Sequence, residues 1–269
     1  MARPKYCLHY LCMIIGVVFW GCSGSNPTSD EGPSDTEILN SKRFPLSIGN
    51  HWEYKGKTED TIISKIDTTI TSFDFKTIWD IVSKDTVFGV ESFKMAITEY
   101  YLSGPDSGKV SNGYDWYTMR GDTLKAVACL STSSILMGQL YKITHPANDI
   151  VEWNVNILVF PLTIGKRWIL SPDLDFLGEK NVVSEESVSL PNIGKIKAFR
   201  IIRTLDFTSI YDDSYENYND VQLYSSIGLI QVNRDDVMQY NSDNFVKNDK
   251  IIKKEIHKIE YDLVSYKLH

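Results

Sequence analysis

Cysteine is scarce in this 269-residue chain, and the few cysteines present exclude a body stabilised by disulfides. Cys7 and Cys12 lie in the N-terminal segment, and Cys22 follows directly after it. Cys129 is the one thiol left for the rest of the chain, so an internal disulfide cannot form there. Its apolar, strand-like surroundings from Leu124 to Leu130 favour a buried structural thiol over the alternative, a reactive one.

The sequence signatures of common catalytic sites are also lacking. The chain has no HExxH, no GxSxG, no phosphate-binding glycine loop and no CxxC pair. The histidines beyond the N-terminal segment are widely separated, without a partner four residues away that could share a metal, and they are His51, His145, His257 and His269. Scattered surface histidines are the favoured interpretation, and a site assembled over long range is the alternative. We therefore predict no cofactor, no metal and no enzymatic activity.

Basic residues are fewer than acidic ones. Lysine and arginine number 28 against 35 aspartates and glutamates, which gives a net charge of −7. Removal of the N-terminal segment with Arg3 and Lys5 would bring it close to −9. An acidic body opposes non-specific binding to nucleic acid, so we expect no partner of that class.

Hydrophobic runs are short. The run from Leu11 to Trp20 has ten residues, about half of the roughly 20 that a bilayer-spanning helix requires. Two cations, Arg3 and Lys5, precede it, and a polar stretch follows it after Gly21, which is the order of a secretory signal. The alternative is a buried core helix at an unprocessed N-terminus.

The end of this segment resembles a bacterial lipoprotein signal, in which the cysteine receives the lipid and becomes the first mature residue. Gly21 and Cys22 match that pattern, whereas Phe19 and Trp20 stand where leucine and a small residue are usual. The resemblance implies a signal peptide at 1–21 and acyl chains, including palmitate, on Cys22. Residues 22–42 are mostly small, polar or acidic, which predicts a flexible tether. Ser23 favours, by analogy with enteric lipoproteins, the outer membrane.

A nine-residue motif occurs twice. Phe44–Trp52 (FPLSIGNHW) and Phe160–Trp168 (FPLTIGKRW) are identical at six positions. Residues 81–87 (IVSKDTV) likewise resemble 182–188 (VVSEESV), and the hairpin-like residues 116–124 stand where 223–230 stand in the second copy. We interpret the chain as a tandem duplication, with one β repeat at 43–150 and a second, which includes a closing C-terminal strand, at 151–269.

Within the motif, each proline suits the approach to a strand, and Gly49 and Gly165 permit a turn with positive φ. Trp52 and Trp168 then begin a strand, where core packing is favoured over the alternative of an aromatic platform for a ligand.

The remaining sequence is rich in Thr, Ile, Val, Tyr and Phe, and turn signals recur at short intervals. Residues 61–70 alternate as one strand would, and Ile251–Ile259 has partly helical spacing, although the pattern that follows it favours a strand. We predict an all-β, antiparallel fold in which duplicated β-meanders form a curved sheet or an open barrel.

The segment Tyr211–Asp220 (YDDSYENYND) is the best local candidate for a site. Its Tyr211, Asp212, Asp213 and Tyr215 could contribute oxygens to calcium or rings to a sugar. The segment lacks the alternating ligand spacing of a calcium loop. The favoured alternative is a solvated, acidic hairpin edge that discourages strand pairing.

The repeated FPLxIGxxW element, the run from Ile227 to Asn233 (IGLIQVN) and the terminal LVSYKL resemble a group of uncharacterised, Bacteroidetes-like bacterial lipoproteins. The second copy departs from the group's pattern at Lys166, Arg167 and Ile169. The resemblance implies a membrane-anchored envelope lipoprotein and no known catalytic residues. We expect a non-catalytic binding or scaffold module for an envelope protein, a glycan or a lipid. An envelope hydrolase and a lipid carrier with an apolar concave sheet are the alternatives.

Overall fold

Strands dominate this chain because β-branched and aromatic residues alternate with polar ones between closely spaced turns. The computed structural model describes residues 43–64, 67–130, 150–171, 177–206, 214–241 and 251–269. Side chains are described throughout these ranges except at 177, 205–206, 214–219, 236–241 and 251–255. The described ranges contain twelve strands and no helix, so none of their residues forms a helix able to cross a membrane.

The strands of the first half are β1 (His51–Ser64), β2 (Thr68–Val87), β3 (Val90–Tyr101), β4 (Val110–Arg120), β5 (Thr123–Cys129) and β6 (Val151–Val159). Those of the second half are β7 (Arg167–Ile169), β8 (Leu177–Leu190), β9 (Gly194–Asp206), β10 (Ser214–Ser225), β11 (Gly228–Asn241) and β12 (Ile251–Lys267).

All twelve strands form one antiparallel sheet in the order β6-β5-β4-β3-β2-β1-β12-β11-β10-β9-β8-β7. β1 joins the halves, because it pairs with β2 on one edge and with β12 on the other. The sheet curves until its outer strands β6 and β7 meet at a seam, where Asn156 N donates to Leu170 O at 2.7 Å. The predicted all-β, antiparallel and barrel-like architecture is therefore confirmed. The strand predicted from Ile251 onward is confirmed as β12.

The strand-like residues 61–70 are divided between two strands, because β1 ends at Ser64 and β2 begins at Thr68. Ser64 Oγ and Asp67 O are 3.0 Å apart in a hydrogen bond, and Ser64 Oγ also accepts from Asp67 N at 3.0 Å. These polar groups make a turn where the apolar alternation alone indicates continuation.

The two copies of the motif make the same backbone contacts. Gly49 (φ 93°) donates to Ile81 O at 2.8 Å, and Gly165 (φ 87°) donates to Val182 O at 2.7 Å. The register of the sheet shifts just beyond each acceptor, between residues 81 and 83 in β2 and between 182 and 184 in β8. Both predicted turns with positive φ are thus confirmed, while the duplication itself stays a prediction.

The two ends of the sheet differ in their connections. Odd-numbered strands all begin at the same end, which we call the tether end, because the described chain enters there at Arg43. Both motifs and the tight turns at 88–89, 121–122, 191–193 and 226–227 lie at this end. The connections at 102–109, 130–150, 170–176, 207–213 and 242–250 join strands at the opposite end, which we call the loop end.

The core lies on the concave face of the sheet. Side chains alternate across each strand, so every second residue points inward. The largest apolar or aromatic side chains that are fully buried include Trp52, Trp79, Tyr54, Tyr117 and Tyr224. The rings of Tyr54 and Trp79 are 4.7 Å apart, and those of Phe75 and Tyr261 are 4.6 Å apart. Among the described residues, aromatic and aliphatic side chains pack against one another on this face.

Candidate functional site

The two motif tryptophans lie in the core. Trp52 is fully buried, and its Nε1 donates to Ile227 O at 2.6 Å, which ties the first half to the second. Trp168 is also buried, and its Nε1 donates to Asn156 O at 3.2 Å across the seam. Neither ring presents a face to solvent, so these residues do not form the exposed aromatic platform that we considered. Their positions agree with the favoured alternative, core packing.

The predicted acidic segment can be located only in part. Tyr211, Asp212 and Asp213 lie outside the described residues, as does the lipid-attachment residue Cys22. Tyr215 belongs to β10, and its side chain is not among those described. The β9–β10 connection joins strands at the loop end. The ligand-binding role of this segment therefore stays a prediction.

A group of charged and polar side chains is buried where apolar groups would be expected. We call it the interior polar cluster, and its members lie on β8, β9, β10 and β11. They are Lys180, Arg203, Asp220, Gln222, Tyr224 and Arg234, all buried.

Asp220 is the anion at the centre of the interior polar cluster. Its Oδ2 lies 2.5 Å from a terminal nitrogen of Arg203 and accepts from Arg234 Nε at 3.3 Å. Gln222 Nε2 also donates to this oxygen at 3.2 Å. The carboxylate links three neighbouring strands, because its partners come from β9, β10 and β11. Buried charges need such pairing, since removal from water is costly for each ion.

Lys180 extends the cluster to the seam. Its Nζ donates to Gln222 Oε1 at 2.8 Å and to Ile157 O of β6 at 3.0 Å. Burial, together with the nearby guanidinium groups of Arg203 and Arg234, lowers the pKa of Lys180 to about 7, although Asp220 opposes this shift. Burial and then the Asp220 charge raise the pKa of Tyr224, so its hydroxyl stays protonated.

All six side chains are buried among the described residues. The cluster links five strands, because its partners come from β6, β8, β9, β10 and β11. We did not predict it from the sequence, although a signal existed. Arg203 follows Phe199 and Ile201 at every second position of β9, which places it on the same inward face.

Two histidines pair with aspartates. His51 and Asp80 face each other across β1 and β2 on the outer face, with Nδ1 and Oδ1 2.7 Å apart. His257 and Asp60 pair across β12 and β1 at 2.8 Å, on the inner face. The expectation of scattered surface histidines therefore does not describe His257. A His–Asp pair supplies two groups of a hydrolytic triad, and the hydrolase alternative would require a nucleophile beside it. Within the described ranges, no three His, Cys, Asp or Glu side chains are grouped to hold a metal.

Cys129 is buried and free of disulfide bonds, as predicted. Burial and then the nearby Asp115 carboxylate raise the pKa of its thiol to about 12. A thiol with this pKa carries almost no thiolate at neutral pH, so it is not a nucleophile.

An open depression lies on the outer face over β7, β8 and β9. It is bordered by β7, which has only three residues, whereas β1 has 14. Ile169 and Ile202 provide apolar contacts there, and Arg167 and Glu179 form an ion pair at 3.6 Å. Mixed apolar and polar groups in a depression of the surface are typical of ligand and partner sites.

No protein-family model matches the chain, and no curated protein matches it. Among solved structures, the chain is similar to a Bacteroides fragilis protein described as exported and as having a YmcC-like fold, with a TM-score of 0.41 and 11% identity, over 84% of this chain and 99% of that one. It is also similar to a protein described as a lipoprotein from Parabacteroides distasonis, with a TM-score of 0.40 and 12% identity, over 83% and 97% of the two chains.

A third likeness, to a domain described as an outer membrane lipoprotein-sorting protein from Vibrio parahaemolyticus, has a TM-score of 0.19 and 10% identity, over 80% of this chain and 85% of that one. The first two neighbours are thus described as an exported protein and a lipoprotein. Likeness at this level assigns no activity to the present chain.

Proposed function

We propose that this chain is a lipoprotein of the cell envelope, anchored to the outer membrane through Cys22, whose barrel-like body is a non-catalytic binding or scaffold module. The anchor rests on the signal pattern of residues 1–21 and on the cysteine that follows it. The acyl chains on Cys22 would make attachment persistent, because each buried methylene contributes about 0.8 kcal/mol.

The packing of described side chains on the concave face is the observation that favours a binding module over a lipid carrier. Fully buried aromatic side chains, among them Trp52, Tyr54 and Trp79, occupy the concave face near the tether end. Farther along the same face, the ionic groups of the interior polar cluster replace apolar ones. A lipid carrier needs an empty apolar cavity, so the packing of these described side chains argues against that alternative. Binding would then use the outer faces or the connections.

The depression over β7–β9 is the part of the outer face that best suits a partner. Ile169 is 54% exposed there, beside the Arg167–Glu179 pair. Protein interfaces usually place apolar side chains at the centre and polar groups around them. We infer that an envelope protein or glycan contacts this surface.

Lipid attachment is tested by labelling cells with radioactive palmitate. The wild-type chain should incorporate label and sediment with membranes, whereas Cys22→Ala should lose both properties. Cys129→Ala is the matched control, because its thiol is buried and should not accept lipid. Membrane retention of the Cys22→Ala variant would contradict the anchor.

Partner binding is tested with a photo-crosslinking amino acid in intact cells. It replaces Ile169 in the depression or, as a control, Val82, which is 47% exposed in the first half. A discrete adduct from position 169 alone would support the binding surface. Identical adducts from both positions, or none from position 169, would contradict it.

A further inference from the structure

The repeated motif leaves one apolar residue of each copy in solvent. Every other large apolar position shared by the two copies is buried or partly buried, so packing accounts for its retention. Those positions are Phe44 and Phe160, Leu46 and Leu162, and Trp52 and Trp168. By contrast, Ile48 is 54% exposed and Ile164 is 65% exposed. The core does not explain why both copies hold isoleucine there.

Both isoleucines lie at the tether end. Ile48 precedes β1 and Ile164 precedes β7, and these strands run in the same direction because both are odd-numbered members of one antiparallel meander. Five strands lie between β1 and β7 in the sheet order, so the two side chains stand on opposite sides of the rim. Two apolar points so placed can touch one flat surface together.

The position of the predicted tether indicates that this flat surface is the membrane that holds the lipid. Residues 22–42 separate the lipidated cysteine from Arg43, and a flexible linker of this length has an end-to-end distance of roughly 25 Å. β1 begins within ten residues of Arg43 and carries the chain away from this end, as far as Ser64. The tether that the sequence predicts would consequently hold the tether end nearer to the lipid than the loop end.

The exposure of isoleucine side chains does not by itself show which end of the sheet contacts the membrane. Ile70, at the loop end of β2, is 64% exposed, as much as Ile164. It pairs with Thr61, ten residues along β1 from His51, which is about 33 Å of strand. The position of the tether and the repetition of the isoleucine are what distinguish the two ends.

We propose that the tether end rests on the bilayer that holds the Cys22 acyl chains, with Ile48 and Ile164 inserted at the level of the headgroups. This inference deepens the proposed function, because it requires the lipid anchor. It gives the body a fixed orientation, with the loop end directed away from the membrane. Apolar side chains at such a rim gain from burial in the interfacial region, as they do in proteins that lie on membranes.

Fluorescence quenching by lipid tests the inference on the full lipidated protein. Ile164→Cys and Ile70→Cys are matched variants, since both replace an isoleucine of equal exposure. A thiol-reactive fluorophore should label only the new cysteine, because Cys22 carries lipid and Cys129 is buried. The labelled proteins are reconstituted into phosphatidylethanolamine–phosphatidylglycerol vesicles containing a headgroup-level nitroxide lipid. We expect quenching at position 164 to be at least threefold that at position 70.

Flotation of the same vesicles distinguishes failure of the docking from failure of the lipid anchor. Protein that floats with the vesicles but is quenched equally at both positions, or more at 70, would overturn the docking and leave the anchor intact. Protein that does not float would overturn the anchor and the docking together. Ile48→Cys repeats the measurement on the first copy, so the result does not depend on how one variant folds. Quenching at 48 equal to that at 70 would likewise overturn the proposal.

Discussion

Replacement of Lys180 by methionine should change how the stability of the protein depends on pH. Lys180 is fully buried, and its pKa is lowered to about 7, against about 10.4 for lysine in an unfolded chain. Between these two values the unfolded state binds more protons at this residue than the folded state does. The free energy of unfolding therefore rises with pH over this window, and below pH 7 the full penalty of the buried charge applies.

The magnitude follows from the same two values. One group with shifted protonation changes the free energy of unfolding by about 1.4 kcal/mol per pH unit. Between pH 7 and pH 10, the wild type should gain on the order of 4 kcal/mol relative to Lys180→Met. In the wild type alone, much of this gain above pH 9 is offset by Cys129, whose raised pKa acts with the opposite sign. The difference between the two proteins cancels that contribution.

The measurement is urea denaturation in detergent at half-unit intervals from pH 6.5 to 10, followed by tryptophan fluorescence. The pH range stops at 10 because of three buried tyrosines with raised pKa values, Tyr54, Tyr224 and Tyr261. Above this pH the tyrosines of the unfolded chain ionise, and this lowers the stability of the folded state. Lys195→Met, which removes an exposed lysine at the start of β9, is the control and should parallel the wild type. Parallel curves for wild type and Lys180→Met would refute the reasoning from burial.

Three further perturbations test other parts of the structure. Asp220→Ala should lower the free energy of unfolding in urea by about 3–5 kcal/mol, because Arg203 would lose its buried carboxylate; a loss similar to that of an exposed aspartate would contradict the role of the cluster. Gly56→Ala should cost about 1–3 kcal/mol by urea denaturation, since a methyl group there would overlap the backbone oxygen of Glu260, and an unchanged midpoint would argue against this packing. Cys129 should react with a thiol reagent at neutral pH only after unfolding, so rapid labelling of native protein would show that its burial is wrong.

Much of the architecture could be predicted because it depends on local patterns. The positive-φ turns at Gly49 and Gly165 follow from glycine's freedom beside a strand, and the hairpin β4–β5 follows from its Arg-Gly-Asp turn. Strand-like alternation over residues 61–70 did not reveal that β1 ends at Ser64 and that hydrogen bonds join Ser64 to Asp67 before β2 begins.

The interior polar cluster could not be predicted in the same way. Lys180, Arg203 and Asp220 are distant in sequence and meet only when β8, β9 and β10 align in register. Each of these charged residues, taken alone, would be assigned to the solvent-exposed face of a strand. The pairing partner of a charge is a property of the sheet's register, and local sequence does not specify it.

The two junctions between the halves of the sheet are unequal in strength. β1 is paired along its length with β12 and with β2, whereas β7 and β6 meet mainly through individual hydrogen bonds at Asn156. The chain that leads from Cys22 enters the sheet at β1. A force applied through a lipid anchor would thus load two long ladders in shear, while the weak seam lies six strands away. An anchor at Cys22 would thus pull on a strand that is paired along its length on both edges.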